Sequence, residues 1–253
     1  MWCDHTGGII GWRFQLEALS KNGHADLAYA LLTQTTYPSI GYEILDPKGE
    51  PATTLWELWD SDAEGPSMNS RNHIMFGGNG IWLHTYLGGI DNAPGTIGYE
   101  HPVFAPPAAL IAQAVQAAST KPEIWETQSI NSRREQLLHF DGTIYSGTST
   151  SSPPLTWSTA TKQTARGEVA LSWQLGNGTL SMDVSVPANT VASTVVPLVG
   201  GGASPTIVEG GKQLFAAGTY VSGVEGVTSA TKQGDSVVIE HGSGTYAFVV
   251  SGF

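Results

Sequence analysis

Apolar residues recur at helical spacing near the start of the chain. Trp12, Leu16 and Leu19 share one face, and Leu27 and Leu31 with Ala28 and Leu32 repeat the period after Gly23. The spacing predicts two helices between residues 11 and 34, joined as a hairpin with Gly23 as the C-terminal cap of the first. Tyr37-Pro38 closes the second helix. Ile40, Tyr42 and Ile44 then alternate with Gly41 and Glu43, which predicts a short strand before the turn at Asp46-Pro47-Lys48-Gly49. A further helix is predicted from Arg71 to Leu87, with Ser70 as N-cap and Ile74, Ile81 and Leu83 as its apolar face. Glycines 77, 78 and 80 interrupt it. Each costs a helix about 1 kcal/mol relative to alanine, so the cluster predicts either a closely approaching neighbour or an irregular helix start.

Beyond Gly88-Gly89 the pattern changes to a period of two, and a domain boundary is expected there. Leu171, Trp173 and Leu175 alternate with polar residues up to Gly176-Asn177-Gly178, and Leu180, Met182, Val184 and Val186 do so after it, which predicts a hairpin. Val237-Val238-Ile239 and Tyr246 to Val250, separated by His241-Gly242-Ser243-Gly244, predict a second hairpin. Several short strands together predict a β-sandwich. Ala108 to Ala118 instead favour a helix inside or beside it, and the Ser/Thr/Pro stretch 146–154 reads as an exposed loop.

Composition narrows the function. With 253 residues, 40% of them apolar, the chain can bury a core, and its length suits one large domain or two ordinary ones. Eleven basic against 22 acidic side chains give a formal charge of −11 and no basic face for nucleic acid. No run of about 18 apolar residues is present to cross a bilayer, and Met1-Trp2-Cys3-Asp4 lacks a signal-peptide pattern. A soluble protein with neither a nucleic-acid nor a membrane partner is expected. Cys3, the single cysteine, leaves the redox compartment open. Asn177-Gly178-Thr179 matches the glycosylation pattern, so the compartment, extracellular included, stays open as well.

Two clusters carry candidate chemistry. In Ala52 to Asp60 carboxylates crowd against tryptophans, a combination that suits sugars, whose C–H faces stack on indole while their hydroxyls bond carboxylates. Trp56 and Trp59 stand three apart, so one buried helical face, with Glu57 and Asp60 solvated, explains the same residues. Met68-Asn69-Ser70-Arg71-Asn72-His73 is the second cluster, where His73 reads either as a helix-terminal structural residue or as a ligand contact. The other histidines form no zinc-type spacing, and no phosphate loop or nucleophile elbow occurs, so no metal, nucleotide or other cofactor is expected.

In order and spacing, Asp26 to Tyr29, Tyr37 to Tyr42, Ala52 to Asp60 and Met68 to His73 resemble the α-L-rhamnosidase family of inverting glycoside hydrolases. The resemblance continues through Leu155-Thr156-Trp157, Gly167-Glu168-Val169, Leu180 to Thr190 and Gly242 to Tyr246, which are similar to that family's C-terminal β-domain. It implies an α+β multidomain fold, in which the last helices of an (α/α) six-hairpin barrel are followed by an antiparallel β-sandwich. The barrel part is expected over residues 1–88 and the sandwich over 89–253, with an insertion at 107–154.

The resemblance further implies hydrolysis of terminal α-L-rhamnosyl bonds in a rhamnose-containing glycoside or polysaccharide, with water as the cosubstrate. Glu57 corresponds to the family's general base and His73 to a sugar-hydroxyl contact. Trp56 and Trp59 are expected as walls of the sugar site. The family's general acid belongs to an Asp/Glu-rich motif that Asp4, Glu17, Glu43 and Asp60 do not reproduce. The sequence is therefore expected to be the C-terminal portion of a longer enzyme, inactive alone. The alternatives are a non-catalytic carbohydrate-binding or structural remnant and a different (α/α)-barrel glycosidase.

Overall fold

The structure, a computed structural model, describes residues 8–45, 49–63, 69–120, 154–176, 178–199 and 205–252. Helices α1 (Gly8–Lys21) and α2 (Ala25–Thr33) form the expected hairpin. Gly23 turns the chain at φ +84°, a left-handed conformation that glycine adopts without a Cβ penalty. Its N–H donates to Ser20 O at 3.1 Å and that of His24 to Leu19 O at 2.8 Å, so two carbonyls orphaned by the helix end are satisfied.

Residues 40–44, expected to be a strand, belong instead to a short helix, α3 (Ile40–Leu45). Ser39 decides the matter: its buried Oγ accepts the Tyr42 N–H at 2.9 Å, an N-cap bond that starts a helix where the apolar alternation suggested a pleat. The next helical run begins at Ile74, three residues later than expected, and changes pitch along its length. A 3₁₀ turn (Ile74–Gly77) leads into α4 (Gly78–Trp82) and then a π turn (Leu83–Leu87). The predicted apolar face is corrected too, since Ile74 is 84% and Ile81 60% exposed while Phe76 and Trp82 are buried. Of the three glycines only Gly78 meets a close neighbour: a Cβ there would stand 2.9 Å from the Arg13 Cα, whereas at Gly80 it would meet open space. The α1 and α4 backbones thus approach at one point. Trp12, Leu16, Ala28, Leu31, Ile40, Trp59, Phe76 and Trp82 form the helical core, and the Trp82 indole N–H donates to Ser20 Oγ at 2.7 Å.

Strands follow from Ile90. One sheet has the order β1 (Ile90–Asn92), β2 (Pro102–Phe104), β6 (Ala192–Pro197), β11 (Ser236–His241), β10 (Val227–Gln233). The other runs β3 (Trp157–Thr164), β4 (Gly167–Gly176), β5 (Thr179–Val186), β12 (Gly244–Ser251), β7 (Thr206–Glu209), β8 (Lys212–Ala216), β9 (Thr219–Tyr220). The pairings are antiparallel except that between β2 and β6. The β4–β5 hairpin forms as expected, with Leu171, Trp173, Leu180, Met182 and Val184 buried.

The second expected hairpin does not form. β11 pairs with β6 and β10, and β12 with β5 and β7, so residues 242–243 carry the chain from one sheet to the other. Both runs alternate because each gives one face to the core between the sheets: Val237 and Ile239 from one side, Tyr246, Phe248 and Val250 from the other. The expected helix at 108–118 is α5 (Ala108–Thr120), whose Ile111 joins this core and which also contacts α2. Asn177 and residues 146–153 of the expected loop lie outside the described residues. No described helix is long and apolar enough to cross a membrane.

Candidate active site

The two polar clusters of the sequence lie side by side. Residues 54–57 and 70–73 run as paired extended segments: Glu57 N–H donates to Ser70 O at 2.8 Å and His73 N–H to Leu55 O at 2.7 Å, and Thr54 Oγ1 donates to Arg71 O. The Glu57 side chain joins this pairing, because its Oε2 accepts the Ser70 N–H at 2.7 Å. A bond from a backbone amide to a carboxylate is charge-assisted and fixes the direction of the carboxylate. Among the described residues Oε1 accepts no hydrogen bond, so one oxygen is held and the other is left for a proton. His73 sits where the segment enters the 3₁₀ turn. Its ring Nδ1 is buried without a hydrogen-bond partner among the described residues. Buried polar atoms are ordinarily satisfied, so an orphaned ring nitrogen is suited to a ligand hydroxyl.

Trp56 and Trp59 have different surroundings. Both are buried, at 3% and 7% exposure, and neither lies in a helix, so the sequence's buried pair is realised without its helical face. Trp59 packs edge-on against Trp12 at 5.6 Å between ring centroids and tilts over Phe76 at 4.0 Å. The Arg71 guanidinium covers Trp56, 5.8 Å from its ring centre. Arg71 also lines a cavity of about 670 Å³ with Tyr37, Tyr42, Gly49, Glu50, Asp60, Asp62 and Ala63, and Trp56, Glu57, Trp59 and His73 are not in that lining. Its polar and aromatic lining suits a hydroxylated ligand.

Sequence reasoning did not single out Glu43, although a carboxylate between Tyr42 and Ile44 in an apolar run was a signal. Its side chain is 1% exposed, and burial pushes its pKa up to about 8 against the opposing effect of a hydrogen bond from the Trp56 backbone N–H.

The sandwich holds a serine, a histidine and a glutamate together, outside this site. His101 Nε2 lies 2.7 Å from Ser193 Oγ, which lies 2.8 and 3.0 Å from the Glu240 carboxylate oxygens. A carboxylate only accepts, so Ser193 spends its one proton on Glu240 and His101 Nε2–H donates to Ser193. The serine is thus a donor to the acid rather than a nucleophile facing a base, and the trio fastens the residue before β2 to β6 and β11.

Comparison with known proteins agrees with this layout. Residues 4–87 match the family model described as bacterial alpha-L-rhamnosidase 6 hairpin glycosidase domain, and residues 146–207 that described as bacterial alpha-L-rhamnosidase C-terminal domain. An alpha-L-rhamnosidase of Formosa agariphila is 34% identical over 75% of this chain, which covers 16% of that protein. The solved alpha-L-rhamnosidase of Dictyoglumus thermophilum superposes with a TM-score of 0.67 at 26% identity, over 96% of this chain and 21% of that one. That of Streptomyces avermitilis, solved in complex with L-rhamnose, gives 0.60 at 27% identity, over 96% and 18%. The chain thus spans about a fifth or less of the length of these relatives. It belongs to the α-L-rhamnosidase family, and it corresponds to the C-terminal region of those proteins, with helices from the six-hairpin domain followed by the β-domain.

Proposed function

We propose that this chain supplies the general-base half of a site that hydrolyses terminal α-L-rhamnosyl bonds with inversion, Glu57 being the base and His73 a contact to a sugar hydroxyl. The observation that carries the reading is the doubly bonded Glu57–Ser70 pair, which aims one oxygen and leaves the other able to take a proton. An inverting hydrolase uses a carboxylate of this kind to activate water on the face of the sugar opposite the leaving group, with room for that water between the two carboxyls. The attacking water gives its proton to Glu57 as the new C–O bond forms, and the leaving oxygen departs protonated by an acid. We assign that acid to no residue of this chain. Trp56 and Trp59 are assigned as walls of the sugar site, and the substrate is a rhamnose-containing glycoside or polysaccharide. Helical residues up to Gly88 and sheet residues from Gly89 act as two domains, with 107–154 an insertion in the second.

The test uses an aryl α-L-rhamnoside with a dinitrophenolate leaving group, which departs without protonation and so reads the base half alone. The purified chain should release rhamnose, and Glu57→Gln should slow release by about 10²–10⁴-fold, the usual share of a general base. Equal rates in the two proteins would reject Glu57 as the base. Rhamnose binding without turnover would favour a carbohydrate-binding role, and release from the matching glucoside at the same rate would favour a different glycosidase.

A further inference from the structure

Alternation along β3, β4 and β5 gives one face of each strand to the core and the other to solvent. The register sets those outward residues in rows. Trp157 stands opposite Gln174 and Gln174 opposite Ser181, while Thr159 stands opposite Ser172 and Ser172 opposite Asp183. At one end of the same face Gln163 Nε2 donates to Glu168 Oε2 at 2.6 Å, so side chains opposite one another here do meet. The tryptophan is the unusual member. Trp12, Trp56, Trp59, Trp82 and Trp173 are buried, whereas Trp157 is 48% exposed. The hydroxyl, amide and carboxylate side chains in its two rows make no hydrogen bond or ion pair with any described residue. We propose that this outward face of the sheet binds a neutral polysaccharide, Trp157 stacking on one sugar ring and the polar rows bonding the hydroxyls of the rings beside it.

The chemistry of the face selects that occupant. Asp183 is the one charged residue in the two rows, and neither lysine nor arginine stands there, so a phosphate or uronate polymer finds no counter-charge. A protein interface has an apolar centre inside a polar rim, whereas Ser172, Ser181 and Asp183 occupy the middle of these rows. Hydroxyls and an amide both donate and accept, as sugar hydroxyls do, and an indole offers the C–H face of a pyranose its one apolar surface. Outward side chains repeat about every 4.8 Å from strand to strand, on the scale of one pyranose ring. The identity of the sugar rests on the rhamnoside-hydrolase reading, and the face narrows that substrate to polymers.

The test is native gel electrophoresis of the whole chain through gels holding a neutral rhamnan or, as control, polygalacturonate; the formal charge of −11 carries the chain into either gel. Binding is read without turnover, so failure of the Glu57 assignment and failure of this one are distinguishable. The rhamnan should retard wild type and the polygalacturonate should not. Trp157→Ala should weaken binding about tenfold, and Trp157→Tyr, which keeps an aromatic face, should stay within about threefold. Ser181→Lys, which raises a long arm in the middle of the face, should weaken it about tenfold as well. Release of rhamnose from the dinitrophenyl rhamnoside should be the same in Trp157→Ala as in wild type. Wild type that the rhamnan does not retard, equal retardation by polygalacturonate, or Trp157→Ala that binds like wild type would each overturn the proposal. A dimer in sedimentation that Trp157→Ala separates would overturn it too, by giving the face to a second copy of the chain.

Discussion

Glu57 and Ser70 hold each other twice: the Glu57 amide donates to the Ser70 carbonyl at 2.8 Å, and the Ser70 amide donates to the Glu57 carboxylate at 2.7 Å. Backbone and side chain of one residue are therefore referenced to a single residue, across 13 positions of sequence. The carboxylate reaches that amide with the full glutamate arm. Glu57→Asp, one methylene shorter, should keep the charge but miss the amide by about 1 Å, a displacement that costs about 100-fold in rate. Ser70→Ala keeps both backbone partners and should leave the rate within about threefold. Steady-state rates on the activated rhamnoside compare the two.

Close approach of α1 and α4 at Gly78 gives a paired prediction. Gly78→Ala places a methyl 2.9 Å from the Arg13 backbone and should destabilise by about 1–3 kcal/mol. Gly80→Ala meets open space in the same short helix and should stabilise by about 0.5–1 kcal/mol. Urea midpoints of the two variants should move in opposite directions.

Burial sets a second, acid-side limit on stability through His241. The ring is 2% exposed, donates from Nδ1 to Gly242 O at 3.3 Å, and accepts the Thr194 hydroxyl on Nε2 at 2.7 Å. Desolvation lowers its pKa from 6.5 to about 4, opposed by the Gly242 carbonyl and by Glu240. The unfolded chain therefore binds a proton that the folded chain refuses between these values, and the stability present above pH 6.5 is lost as pH falls through about 4. The contribution is on the order of 3 kcal/mol. Chemical denaturation at pH 7 and pH 4.5 should show this loss in wild type and a smaller one in His241→Gln.

Trp59 belongs to the helical core, wedged between Trp12 and Phe76. Trp59→Ala should cost about 3–5 kcal/mol, and Trp59→Phe distinctly less. Differential exchange should confine the damage to α1, α2 and the 74–87 run, with the sandwich amides unaffected.

Legibility of the sequence followed the strength of one-dimensional periodicity. Leu180, Met182, Val184 and Val186 alternate because a strand with one face on the core has no other way to be buried, and the β4–β5 hairpin was readable from them. The same alternation at Ile40, Tyr42 and Ile44 misled, because three residues satisfy either period and the Ser39 cap, a single hydrogen bond, decides between them. Val237–Ile239 and Tyr246–Val250 were readable as strands but not as belonging to different sheets, since the His241-Gly242-Ser243-Gly244 link serves a hairpin turn and a crossing between layers equally well. Glu57 and His73 were recognisable by their motifs. Their proximity depends on backbone pairing of 54–57 with 70–73, which no side-chain pattern records.

The strand β12 has a consequence for synthesis on the ribosome. Residues 244–251 lie between β5 and β7, in the middle of their sheet, and they are the last of the described strands to be made. Until they leave the exit tunnel, β5 and β7 each present an open, unpaired edge flanking a strand-wide gap, and the facing sheet has no complete surface to close upon. The two described sheets therefore close only after β12 has been translated, and the interval beforehand is the window in which those two edges are open to pairing with another nascent chain.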